Sequence, residues 1–480
     1  MLGASRIQYD LAERGRGLSV GGIGMVHLLA RRSGLARAID RRLHLLKVHL
    51  PYHESDHVLN LAYNVMCGGT CLEDLELRRN DEVYLDALGA ERIPDCTTAG
   101  DFCRRFDAAD VDVLMDAIND TRLEIWKRQP SSFFEEAVIE ADGTIVETGA
   151  AKKEGIDLSY DGQWGYHPLL ISLSNTQEPL FVLNRSGNRP SHEGAAAYFD
   201  RAVDLCERAG FARITLRGDT DFSQTIFLDG WDGKGVRFVF GYDARQNLVQ
   251  LAEGLEETAW QRLERAAAYE VQTRPRARRE NQKQAIIERR GFVQITTEVE
   301  DVSSFWYRPA LCAKDYRVVV LRKVIGVTKG QQLLQPQVRY FFYITNDARA
   351  SAREIVLEAN QRCNQENLIQ QLKNGVAALR TPVDTLVSNW AYMVMASLAW
   401  TLKAWTALVL PERGRWKARR ALEKTQLLTM EFKRFLNAFI RVPAQVVRTG
   451  RGVLYRLLAW NPWLHVFFRA ADVLEHPLRC

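Results

Sequence analysis

Between residues 18 and 130, apolar residues recur at helical spacing: Ile23, Val26, Leu28 and Leu29, then Leu35, Ile39 and Leu43 to Leu46. Similar stretches run from His57 to Met66, Cys71 to Leu77, Thr98 to Arg105 and Asp110 to Trp126, with Gly68-Gly69 and Pro94 as breaks. This spacing predicts an all-α N-terminal domain over 1–130. Its basic residues Arg31, Arg32, Arg37, Arg41 and Arg42 are either a solvated helix face or the mark of a DNA-binding or dimerisation domain. From 131 the period changes to two. In 136–148 the odd positions Ala137, Ile139, Ala141 and Ile145 are apolar or small, while the even ones carry Val138, Glu140, Asp142, Thr144 and Val146. That alternation predicts a strand with one greasier face. Asp142 is expected near its middle, where an ionised carboxylate is costly unless it is paired or binds a cation. Gly143 beside it leaves room for a ligand or a neighbouring backbone. The plain alternative is a strand that ends in an Asp-Gly turn.

Strands follow at 166–173 and 179–183, a helix from about Glu193 to Ala209, and a fourth strand over 212–219. The order strand–strand–strand–helix–strand is an α/β plan, that of the ribonuclease-H-like fold. It brings the first and fourth strands side by side, each presenting a carboxylate at one edge: Asp142 and Asp219. A helix and a fifth strand, 236–240, complete this first part of the core, 131–243. Residues 244–343 read as a β-rich insertion with strand-like runs at 292–299, 316–324 and 338–345. Its basic cluster, Arg274, Arg276, Arg278, Arg279, Lys283, Arg289 and Arg290, is either a solvated linker or a phosphate-contacting stretch. The core resumes over 344–410. A helix over roughly 348–374 carries Glu366, with Arg362 four residues before and Lys373 seven after, so that the three share one stripe. Amides crowd this helix: Asn364, Gln365, Asn367, Gln370 and Gln371. An apolar helix over 385–410 and a basic C-terminal segment, 411–480, close the chain.

Composition narrows the classes. Of 480 residues, 46% are hydrophobic and 26% charged, as in an ordinary globular protein of about three domains. The net charge of +5 permits a nucleic-acid partner without requiring one, but 401–480 alone carries 15 Lys/Arg against 5 Asp/Glu. The 8 cysteines are scattered, so reduced thiols and a cytoplasmic protein are expected. Cys67, Cys71, Cys96 and Cys103 match no paired zinc-knuckle spacing. Trp390 to Leu410 approaches membrane length, but Lys403 interrupts it, so no membrane partner is expected. No Walker loop, paired histidine ligands or Gly-x-Ser-x-Gly elbow competes for the chemistry.

Three carboxylates on two strands and a helix, Asp142, Asp219 and Glu366, suit a pair of divalent ions about 4 Å apart. Mg²⁺ fits hard oxygen ligands, and Mn²⁺ would substitute. The motifs Glu140-Ala-Asp142-Gly-Thr144, Gly165-Tyr-His-Pro-Leu-Leu170, Ser186-Gly-Asn188, Leu216-Arg-Gly-Asp219 and Arg362…Gln365-Glu366-Asn367…Lys373 occur in that order. Together they resemble the DDE transposases of bacterial insertion sequences, in particular the group numbered thirteen-eighty, which is related to the piggyBac transposases. The resemblance implies cut-and-paste DNA transposition. The enzyme would bind the terminal inverted repeats of its own element, cut with two Mg²⁺ ions and join the 3′-hydroxyls to target DNA, as a homodimer in the synaptic complex.

By resemblance, Asp142, Asp219 and Glu366 are the catalytic metal ligands. Arg362 and Lys373 match the cations of the related Tyr-Arg-Glu-Lys motif, whose tyrosine position is Ala359 here. Asp221 lies two residues beyond Asp219 and is its rival. Trp306 either stacks on a flipped base, as an aromatic does in hairpin-forming relatives, or is a core tryptophan of the insertion. Arg276, Arg278 and Arg279 are candidate DNA contacts. Arg37, Arg41 and Arg42 are candidates for reading the inverted repeat. Two other readings remain open: a domesticated DNA-binding protein that has lost catalysis, and a structure-specific nuclease of the same fold.

Overall fold

A stripe of apolar residues on each N-terminal helix explains why these segments pack together. The structure, a computed structural model, describes residues 16–49, 51–265, 282–291, 293–329, 332–361, 363–450 and 452–475. After a short strand β1 (Gly17–Leu18) come α1 (Ile23–Arg32), α2 (Leu35–Arg42), α3 (Glu54–Met66), α4 (Leu75–Arg79), α5 (Glu82–Leu88), α6 (Cys96–Cys103) and α7 (Ala108–Trp126). Asp81, Asp95 and Asp107 cap α5, α6 and α7 by accepting from first-turn amides, so local chemistry fixes where these helices begin.

The β region follows. It comprises β2 (Ala137–Gly143), a small sheet of β3 (Val146–Glu147), β4 (Asp157–Leu158) and β5 (Trp164–Tyr166), then β6 (Leu169–Leu173), β7 (Glu178–Leu183), α8 (Ala195–Ala209), β8 (Ile214–Gly218), α9 (Thr225–Gly233) and β9 (Arg237–Tyr242). Next are α10 (Gln246–Glu253), β10 (Gln261–Arg262), α11 (Gln282–Arg290), β11 (Val293–Tyr307), β12 (Tyr316–Lys329) and β13 (Gln332–Thr345). Among the described residues the main sheet runs β10-β11-β12-β13-β9-β8-β2-β6-β7. The β2–β8 and β8–β9 pairs are parallel and the others antiparallel. The inserted strands are longer than their sequence pattern predicts. They also continue the same sheet, because Phe342 to Thr345 of β13 pair with Tyr242 to Val239 of β9.

The expected helix over 348–374 is not continuous. It divides into α12 (Ala352–Asn360) and α13 (Cys363–Gln370), followed by a π-helical turn over Gln371–Gly375. The two helices are anchored on different strands. Glu358 of α12 accepts from Arg237 of β9 at 2.5 and 2.6 Å, and its carbonyl accepts from Arg217 of β8 at 2.9 Å. The α13 anchor lies on β6 instead. On one side α12 buries Ile355 and Val356 against Val239, Val302, Val319 and Leu321, a cluster apart from the main core.

The main core is threaded by α14 (Leu386–Leu408), buried from Ser388 to Leu408 and packed on α3, α7 and β7. A buried carboxylate joins these layers. Glu178 accepts from Arg122 Nε (3.0 Å), Trp126 Nε1 (3.0 Å), Trp405 Nε1 (2.9 Å) and Thr176 Oγ1 (2.7 Å). No described helix is long and apolar enough to cross a membrane.

The basic C-terminal segment is folded rather than a loose tail. It forms α15 (Lys417–Leu428), α16 (Phe432–Phe435), the hairpin β14 (Ala444–Thr449) and β15 (Gly452–Leu457), and α17 (Leu464–Glu475). Phe432, Phe435, Phe439 and Ile440 are fully buried, and β14 pairs with β1 at the other end of the chain. Arg32 of α1 donates to the carbonyls of Leu474 and Glu475 at the end of α17 (3.2 and 3.1 Å). Four aromatic side chains of this segment, Phe432, Phe435, Phe439 and Phe467, lie in the core, while Trp416, Trp460 and Phe468 are exposed.

Candidate active site

The parallel pairing of β2 with β8 sets the site. Its register includes Ile139 opposite Leu216 and Glu140 opposite Arg217, the last pair of the ladder. Asp142 and Asp219 each follow that pair by two residues, so both carboxylates stand at the C-terminal edge of adjacent strands. Asp142 is the penultimate residue of β2 and partly exposed, not central and buried as its pattern suggested. The buried carboxylate of this strand is Glu140. It accepts from Arg217 Nε at 2.8 Å, with both side chains almost wholly inaccessible. Arg217 also donates to Ser174 Oγ (3.1 Å), tying β8 to the turn after β6.

The backbone here is crowded. A Cβ at Gly143 would come within 2.6 Å of His167 Nε2, so the space beside Asp142 belongs to an imidazole. Nδ1 of that ring is hydrogen-bonded to the Arg189 carbonyl at 2.7 Å, and burial holds its pKa below the usual histidine value. A Cβ at Gly241 would come within 2.8 Å of the Thr220 amide, so glycine lets β9 approach the turn after Asp219. Asp219 Oδ1 accepts from the Asp221 amide at 3.0 Å, which fixes that turn.

Glu366 is exposed on α13, and the residue before it is buried. Gln365 accepts from Ser172 Oγ and donates to the Leu170 carbonyl (3.2 Å), pinning α13 to β6. Leu170 is also the ladder partner of Asp142. Asp219 and Glu366 line one cleft of about 470 Å³, together with Asp243, Asn360 and an aromatic wall of Tyr242 and Tyr340 to Tyr343. Ala359, at the expected tyrosine position, lines it too, so the cleft's phenols come from the sheet. Asn360 Nδ2 is buried without a hydrogen-bond partner among the described residues.

Lys373 does not continue the helical stripe of Glu366, because it lies in the π-helical turn. Its ammonium reaches back to the end of β2, donating to Ile145 O (2.7 Å) and Thr144 Oγ1 (3.2 Å), and burial lowers its pKa. Arg362, Arg276, Arg278 and Arg279 lie outside the described residues. Asp221 is exposed and does not line the cleft. Trp306 is 61% exposed on β11, which removes the reading of a core tryptophan.

The donors are hard carboxylate oxygens, the right chemistry for Mg²⁺ or Mn²⁺. Among the described residues, however, no three His, Cys, Asp or Glu side chains are gathered closely enough to hold a metal ion. The structure therefore brings Asp219 and Glu366 into one cleft, with Asp142 on the same sheet edge, without closing a ligand set. Cys67, Cys71, Cys96 and Cys103 form no such group either; Cys67 and Cys103 are buried thiols pushed up to about 12.

Sequence reasoning missed three supports of this site: the Glu140–Arg217 pair, the Gln365 pin and the Asp243 carboxylate. Only the amide-rich run around Gln365 carried a signal for any of them.

A family model described as "Transposase DDE domain group 1" matches residues 5–478. No curated protein matches the chain. Among solved structures, the chain is similar to a piggyBac transposase, determined by cryo-EM as a synaptic complex with hairpin DNA. The TM-score is 0.38 at 9% identity, over 89% of this chain and 82% of that one. Members of the DDE family are DNA-cleaving and DNA-transferring enzymes that generally use divalent metal ions. Because the family model runs from before the first helix to beyond the last, taking in the carboxylate edge and the folded C-terminal segment alike, the chain belongs to the DDE transposases.

Proposed function

We propose that this transposase works by cut and paste. It binds the terminal inverted repeats of its own element as a homodimer, cleaves with Mg²⁺ and joins the 3′-hydroxyls to target DNA. The element is a bacterial insertion sequence of the group numbered thirteen-eighty. The observation that carries the reading is that Asp142 and Asp219 each stand two residues beyond the last pair of adjacent parallel strands, with Glu366 lining the same cleft as Asp219. The strand order β7-β6-β2-β8-β9, with α8 between β7 and β8, supports a ribonuclease-H-like core.

In this reading Asp142, Asp219 and Glu366 hold the divalent ions. Bound ions would activate the attacking oxygen and stabilise the leaving oxygen of a phosphodiester. The residues around them have separate tasks. Gln365 fixes the helix that presents Glu366. The buried Asn360 amide offers a donor to a phosphate oxygen. Tyr343 and Phe341, on alternate positions of β13, form a flat wall against which a nucleobase can rest. Lys373 holds the β2 end in place and, with Arg362, supplies positive charge near the scissile strand. Trp306 and the cluster Arg276, Arg278 and Arg279 add contacts to DNA held against the insertion.

The test is to incubate the full chain with DNA carrying its element's ends, in Mg²⁺, Mn²⁺ or Ca²⁺, and to map the cuts. Cuts at the ends in Mg²⁺ or Mn²⁺ are expected. Binding without any cut in either metal would favour a domesticated DNA-binding protein, and cuts set by DNA structure rather than by the ends would favour a nuclease.

A further inference from the structure

A second cleft lies away from the carboxylates, between α2, α7 and the end of α8. It measures about 790 Å³ and is walled by Arg37, Arg41, Lys127 and Arg208, with Asp120 and Glu124 as its acids. The acids are already engaged. Asp120 is bound by Arg42 and, at 3.1 Å, by Arg208, while Glu124 pairs with Lys127 at 2.6 Å. Arg37 and Arg41 are exposed and make no ion pair among the described residues. Ser33 and Gly34, which open α2, also line the cleft, and α2 starts without a side-chain cap. The amides of Ser33 and Gly34 are taken by carbonyls of α1, so the positive end of the helix dipole, rather than free N–H groups, adds to the two unpaired guanidinia.

We infer that this cleft is a phosphate-binding site that grips the backbone of duplex DNA. The inference rests on the transposase reading and revises one expectation, that Arg37, Arg41 and Arg42 read bases. Base edges are read by an element that enters a groove, whereas these side chains line a concavity, and Arg42 is committed to Asp120. Unpaired guanidinia, an uncapped helix start and neutralised acids suit an anion that is drawn in.

Position adds to the argument. Arg208 lies at the end of α8, just before β8 enters the sheet, while Asp219 follows the other end of β8. The five residues of β8 span about 16 Å. Arg208 and the carboxylate Asp219 thus belong to opposite ends of this strand. The cleft holds DNA at a distance from the chemistry, so its removal should weaken affinity for any sequence.

The test is competition binding across a salt series, with one duplex carrying the element's ends and an unrelated duplex of equal length. In Arg37→Ala/Arg41→Ala/Arg208→Ala, log affinity should depend less steeply on log salt, by about 0.9 for each phosphate no longer neutralised, equally for both duplexes. Arg37→Lys/Arg41→Lys should keep the wild-type slope, because a phosphate accepts either cation while a bidentate base contact does not. Thermal melting checks that the triple variant folds, and the single exposed Arg41→Glu variant provides a second reading of the same slope. An unchanged slope in variants that fold would overturn the inference while leaving cleavage of the ends, and so the proposed function, intact. A weakening confined to the element-end duplex would overturn it in favour of base reading. Wild-type protein that bound neither duplex would overturn both the site and the function.

Discussion

Gln365 accepts a hydrogen bond from Ser172 across the helix–sheet interface, and its neighbour Glu366 faces the cleft on the other side of the same turn. The pin therefore sets where the third carboxylate stands. Replacing Gln365 with leucine would leave the buried Ser172 hydroxyl unpaired, at a cost of about 1–3 kcal/mol, and free α13 to shift. A misplacement of about 1 Å lowers a rate by roughly 100-fold. The expected outcome is a fall in strand cleavage of that order with end binding preserved. Unchanged cleavage in Gln365→Leu would show that another interaction positions Glu366.

Asp142→Asn, Asp219→Asn and Glu366→Gln should each abolish cleavage while end binding survives. In the proposed mechanism each would remove a metal ligand but leave the basic surfaces that would supply affinity. Asp221→Asn should retain measurable cleavage, because Asp221 lies outside the cleft and uses its backbone amide to fix Asp219. Gel assays of cutting and binding on one substrate separate the two effects. Full activity in any of the first three variants would remove that residue from the set.

A buried histidine, His57, and a half-buried one, His27, make stability sensitive to acid. Burial holds His27 and His57 down to about 4, with Arg31 and Arg105 adding to the effect. The unfolded chain protonates these rings below about 6.5, whereas the folded chain keeps them neutral until about 4. The unfolded state therefore binds more protons in that window, and stability is lost as pH falls through it, by roughly 1–3 kcal/mol per ring. His57 stacks on Phe102 at 4.2 Å, and its Nδ1 has no hydrogen-bond partner among the described residues, so His57→Phe should keep the packing and remove its share of the loss. Melting temperature followed across the window should fall less in the variant, and equal falls would place the acid sensitivity elsewhere.

Ending the chain before Pro411 should prevent folding rather than merely weaken DNA binding. The truncated protein would lack Phe432, Phe435, Phe439 and β14, which are part of the common core and of the β1 sheet. Glu178→Ala should act on the same core from inside. It strands the buried Arg122 guanidinium and two indole donors, an uncompensated burial worth about 3–5 kcal/mol. Calorimetry would show a lower melting temperature for Glu178→Ala and no cooperative transition for the truncation. A sharp transition in the truncated chain would make the C-terminal segment an independent unit.

Local periodicity made the carboxylate edge legible. Alternation around Asp142, and a strand ending at Asp219, are properties of a few neighbouring residues, and the element order then brought the two strands together. What escaped depends on partners distant in sequence. The helical pattern runs unbroken through 348–374, whereas the division into two helices goes with anchors on different strands, Arg237 of β9 holding Glu358 and Ser172 of β6 holding Gln365. The joining of β13 to β9 leaves no trace in either strand's own alternation. Glu140 read as one of several even-numbered polar positions, since only Arg217 on the next strand makes it the buried one. In the last segment, the excess of charge drew attention from the rings that decide its packing.

Because β13 is bonded edge to edge with β9, the insertion is a lever and not an appendage. Strands of 14 and 15 residues overlap β9 at one end, and the rest of them reaches about 35 Å beyond the carboxylate edge. The register shifts at Thr297/Val299 and Ile325/Val327 give that lever a joint partway along its length. Between the joint and β9 the ladder is continuous, so a load that bound DNA placed on the inner half would pass along it to the Phe240–Gly218 pair beside Asp219. Recognition of DNA shape far from the cut would then be felt at the cut as torque.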